Sequence, residues 1–100
     1  MKHNTGLYLF GSYLKSVDPH DIDLLWLYDK MEMSPESIMV MVNERESFMA
    51  TRLPLPIHHT ILSTTENEET RFLESVDAVF VGGLSEEANV LLGEVIQMKG

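Results

Sequence analysis

Two aspartates stand one residue apart in "DIDLLWLYD", residues 21–29. Asp is poorly suited to a strand, yet the run that follows, Leu24 to Tyr28, is apolar throughout. Residues i and i+2 of a strand share a face. Asp21 and Asp23 therefore project together, roughly 7 Å apart by strand rise, with Ile22 turned to the other side. Two carboxylates on one face repel, so something must compensate them. At this spacing they can share one or two divalent ions, as in two-metal phosphoryl-transfer sites. Mg²⁺ suits them, because it commonly takes one or two carboxylates and fills its remaining positions with water and phosphate oxygens.

Ten residues earlier, "LFGSYLKS" supplies a second group with chemical potential. Gly11 lets a backbone approach a ligand closely. A glycine turn leading into a helical turn presents backbone N–H groups that attract phosphate. The Ser12 hydroxyl can bond a phosphate oxygen, and Lys15, one turn on, either reaches the same anion or stays solvated.

These residues need elements to hold them. "GLYLF", residues 6–10, reads as a short buried strand, and "SYLKS" as one helical turn. "VDPHD" is a loop, because Pro19 fixes its own φ and biases Asp18 away from helix. Residues 21–29 read as a strand covered on both faces. A helix is expected over 34–53, with Ser34 as N-cap, Pro35 in the first helical position and a stripe of Ile38, Met41, Val42, Arg45, Phe48, Met49 and Arg52. The Met-rich run over 31–41 reads mainly as core-facing. A strand follows at about 56–63. Acidic "TTENEETRFLES" reads as a loop or a helix capped by Thr64 or Thr65, "VDAVFVGG" as a strand, and 85–98 as a last helix capped by Ser85. The order is β, short α, β, α, β, α, β, α. It predicts one α/β (α+β) domain over residues 1–100, a mixed four-stranded sheet with helices packed on it.

The joint pattern "LFGS", a gap "YLKSVDPH", then "DIDLLWLY" resembles the minimal, single-domain members of the nucleotidyltransferase superfamily related to DNA polymerase beta. The motif covers about a quarter of the chain, and the element order after it is similar to the family's core. On that resemblance, Gly11 and Ser12 would hold the β- and γ-phosphates of a nucleoside triphosphate, with ATP the leading candidate. Asp21 and Asp23 would ligate Mg²⁺ or Mn²⁺. The implied reaction moves a nucleotidyl group to a hydroxyl acceptor and releases pyrophosphate.

One position departs from the family pattern. Active members carry a third carboxylate early in the strand after the long helix, where "PIHHTILS" has His58. Three readings follow. His58 acts as ligand or general base, which would suit Mn²⁺ better than Mg²⁺. An acid from "ENEE" (Glu66, Glu68, Glu69) folds back into the site. Or the third position is lost, leaving a domain with reduced or no turnover. His58 and His59 point to opposite faces of a strand and are not by themselves a metal motif.

Composition narrows the partners. Apolar residues make up 44% of 100, there is no cysteine, and the formal net charge is −9. Such acidity opposes duplex nucleic acid as a ligand, since that binding depends on Lys and Arg replacing counterions. It leaves room for phosphates held through metal ions. No run approaches the roughly 18 apolar residues of a membrane span, and the first residues lack a signal-peptide pattern. A cytoplasmic protein is expected. With a single domain expected over these residues, no second one is expected to grip an acceptor, so a partner protein or a homodimer would complete a live site. The rival reading is an interaction protein. In size and core motif the chain is similar to the antitoxin nucleotidyltransferases that pair with small helical HEPN proteins in toxin–antitoxin modules. Those commonly carry an Arg soon after the Ser, where this chain offers only Lys15.

Overall fold

A computed structural model describes residues 4–53 and 55–84 of the chain. The central strand is β2, Ile22–Tyr28. On one side it pairs antiparallel with β1, Gly6–Phe10, and on the other parallel with β3, Ile57–Ser63. A fourth strand, β4, Val79–Gly82, pairs antiparallel with the outer side of β1, giving the order β3-β2-β1-β4. The fold is α+β with a mixed four-stranded sheet, as the sequence predicts. Parallel pairing of β2 and β3 requires a crossover. The long helix α2, Pro35–Ala50, supplies it.

Side-chain alternation along β2 divides the core. Ile22, Leu24, Trp26 and Tyr28 join Leu7, Leu9 and the α2 residues Ile38, Val42 and Met49 in one cluster. Leu25 and Leu27 join Tyr8 and Leu73 in a second cluster on the opposite face. Two covered faces explain why 24–28 is apolar without alternation. Leu24 to Leu27 are each fully buried. At about 25 cal/mol per Å² of apolar surface, this strand carries a large share of the folding free energy.

Helix α2 begins as expected. The Ser34 side chain accepts a hydrogen bond from the Ser37 N–H, and Pro35 opens the helix. Its stripe needs correction at Phe48, which is largely exposed and lies under the Arg52 guanidinium. The core-facing assignment of the Met-rich run is also only partly met. Met33 and Met41 pack against the first cluster, whereas Met31 and Met39 are 92% and 57% exposed.

The segment after β3 is helical from its first residue: α3 spans Thr64–Thr70. Its cap is Ser63, not Thr64 or Thr65. The Ser63 hydroxyl accepts from the Glu66 N–H, and the Glu66 carboxylate accepts from the Ser63 N–H. This reciprocal capping box satisfies two donors at once. Arg71, in a left-handed conformation, separates α3 from the short helix α4, Phe72–Ser75. Asp77, also left-handed, turns the chain into β4, which is therefore shorter than "VDAVFVGG". The helix expected over 85–98 lies outside the described residues.

Candidate functional site

The C-terminal end of β1 and the N-terminal ends of β2 and β3 meet at one end of the sheet. Phe10 is opposite Asp23 in the antiparallel pair, and Asp23 is opposite His58 in the parallel pair. Register alone therefore brings Gly11, Asp23 and His58 together. Asp21 sits just before β2, one alternation step from Asp23 and on the same face. Ile22 between them is fully buried on the other face.

Side-chain contacts tighten this group. The Ser12 hydroxyl donates to Asp21 Oδ1 at 3.2 Å. His58 Nε2 lies 3.3 Å from Asp21 Oδ2. Gly11 has φ +82° and ψ −155°, a conformation that L side chains rarely adopt. A Cβ added there would overlap the Asp23 carboxylate. The glycine is thus required twice over, once by its backbone and once by the carboxylate it lets in. The short helix α1, Ser12–Lys15, follows directly.

The electrostatics match the geometry. Burial pushes the Asp23 carboxyl above its ordinary range, the neighbouring Asp21 charge pushes it further, and His58 partly offsets both. A carboxylate raised by desolvation and a like charge gains from any cation placed beside it.

Five of the six residues singled out from sequence, Gly11, Ser12, Asp21, Asp23 and His58, converge here. Lys15 does not join them. Its Nζ lies 3.9 Å from Asp77, and both side chains are well exposed. The acids of "ENEE" do not fold back either. α3 starts at the C-terminal end of β3, the opposite end from His58, and Glu66 is committed to the Ser63 cap. His58 thus stands alone in the position where a third acid was sought.

Among the described residues, no group of three or more His, Asp or Glu side chains is arranged to hold a metal ion by itself. Asp21 and Asp23 could serve only the more open arrangement, in which a hard cation takes two carboxylates and completes its shell from water and phosphate. No helix among the described residues is long and apolar enough to cross a membrane.

Sequence reasoning missed the cluster behind β3. The Trp26 indole N–H donates to His59 Nδ1 at 2.9 Å, and His59 Nε2 bonds the Glu46 carboxylate of α2. An indole N–H can only donate. The His59 proton therefore sits on Nε2, facing Glu46. Alternation placed His59 on the face opposite His58, which was the one available signal.

Comparison with family models, with curated proteins and with solved structures yields no match to this chain.

Proposed function

We propose that the chain is a metal-dependent nucleotidyltransferase acting from a nucleoside triphosphate, ATP first among candidates, onto a hydroxyl acceptor. The observation that carries this reading is the convergence of Gly11, Ser12, Asp21 and Asp23 at one sheet end, with Gly11 opened to the Asp23 carboxylate. Asp21 and Asp23 would hold Mg²⁺ or Mn²⁺. Such an ion supplies positive charge to phosphate oxygens that an acidic chain otherwise repels. Ser12 and the Gly11 turn orient the triphosphate. The acceptor oxygen bonds to the α-phosphorus, the bond from that phosphorus to the bridging oxygen breaks, and pyrophosphate leaves. His58, the imidazole beside Asp21, takes the acceptor's proton. Positioning and charge supply most of the rate.

One contact favours a second reading. At 3.3 Å from Asp21, His58 pairs with that carboxylate instead of completing a metal site. The domain would then bind nucleotide or a partner, such as a small helical HEPN-type protein, without turnover. Two variants separate these readings in an assay of pyrophosphate release with candidate acceptors. Under the transferase reading, Asp23→Ala abolishes metal-dependent release and His58→Ala lowers it by about 10²-fold or more. Under the second, wild type is inactive and His58→Asp gains activity. Release undiminished by Asp23→Ala would sink the mechanism.

A further inference from the structure

The far end of the sheet holds a second feature, independent of the nucleotide site. A cleft of about 310 Å³ opens where β1 begins and β2 and β3 end, lined by Thr5, Asp29, Thr64, Thr65, Asn67 and Glu68 among others. That volume lies at the lower edge of small-molecule sites. Two properties of its wall point to a ligand. First, neither Asp29 nor Glu68 has a cationic partner among the described residues. Second, Asn67 is only 4% exposed, yet just half of its amide is used. Its Oδ1 accepts from the Leu73 N–H at 3.0 Å, and its NH₂ group has no acceptor among the described residues. A buried donor without a partner is costly, so an acceptor is wanted at that point.

We infer that this cleft binds a small α-ammonium carbonyl compound, with the ammonium on Cα and the carbonyl on the next carbon, the chemistry shared by an amino-acid amide and a peptide N-terminus. The ammonium faces Asp29 and Glu68, the carbonyl accepts from the Asn67 NH₂, and the threonine hydroxyls serve as donor or acceptor to either group. An anion is disfavoured by the two carboxylates. A neutral amide leaves them uncompensated, and a bare amine leaves Asn67 unsatisfied.

The test is a titration of the whole ¹⁵N-labelled chain with glycinamide, triglycine amide, acetamide and methylammonium, following amide and side-chain NH₂ shifts. Glycinamide should saturate, perturb the Asn67 side chain and the Thr64 and Thr65 amides, and bind about tenfold or more tightly than acetamide or methylammonium. Asp29→Asn and Glu68→Gln should each weaken it about tenfold. Asn67→Asp, which keeps the acceptor for Leu73, should erase the preference over methylammonium. The Asp21→Ala/Asp23→Ala variant should bind glycinamide as wild type does. Triglycine amide binding as tightly as glycinamide identifies a peptide end as the source, and its exclusion identifies a free amide. Equal shifts with acetamide, a response that never saturates, or binding indifferent to both Glu68→Gln and Asn67→Asp would overturn the proposal.

Discussion

Asp23 is the residue on which stability and the proposed function pull apart. Its carboxyl is raised by burial first and by Asp21 second. A carboxyl whose folded pKa exceeds its unfolded value holds its proton more tightly in the folded chain. Between those two values, stability falls as pH rises, and the ionised group costs stability at neutral pH. Asp23→Asn should therefore raise the melting temperature at pH 7, and the gain should shrink as pH falls toward about 4. Melting curves across that range check it, and no gain at pH 7 would count against a strained carboxylate. Gly11 is the second such residue. Gly11→Ala forces a Cβ into the Asp23 carboxylate and a non-glycine residue into a glycine conformation. A loss of about 1–3 kcal/mol in denaturant unfolding is expected. Both residues were legible in the sequence because strand alternation and glycine turns are local rules. The Ser63 cap was missed although "STTE" at 63–66 is a capping-box pattern, because Ser63 also ends the β3 strand. Lys15 takes its solvated contact, with Asp77, from a distant part of the chain, which no local rule announces.

At the scale of elements, β2 positions everything. It is buried on both faces, so its register cannot slip without moving apolar side chains out of both clusters. That register sets Asp23 between Phe10 and His58. A chain of side chains also ties α2 to the sheet, from Glu46 through His59 to the fully buried Trp26. Replacing His59 with Leu leaves the indole N–H without its acceptor, at a cost of about 1–3 kcal/mol. His58→Leu, at an exposed position, should cost far less in stability. Trp26 is the single tryptophan, so its emission reports the His59 change directly. This chain escaped sequence reading because its members lie at 26, 46 and 59, on three elements that only the finished fold brings together. The four strands and α2 were legible from local signals, such as the continuous apolar runs of β1 and β2 and the Ser34-Pro35 start of α2. The break between α3 and α4 was not, because it rests on a left-handed Arg71 that no residue preference announces.

The whole molecule is small, acidic and two-ended. The parallel pair of β2 and β3 gives its N-terminal end to the carboxylates, Ser12 and His58, and its C-terminal end to the Asn67 cleft. At a net charge of −9, with two aspartates in the proposed site, phosphate binding there should depend on a bound cation, and that dependence is what most directly tests the account. The measurement is a thermal shift with ATP, GTP, CTP and UTP, each with Mg²⁺ or Mn²⁺, on wild type and on Asp21→Ala/Asp23→Ala. A ligand at 100 times its dissociation constant adds about 2.7 kcal/mol, which for a domain of this size raises the melting temperature by on the order of 10 °C. The account predicts a shift with at least one nucleotide that needs the metal and disappears in the double variant. A shift that persists without metal or in that variant, or none with any nucleotide, would contradict it.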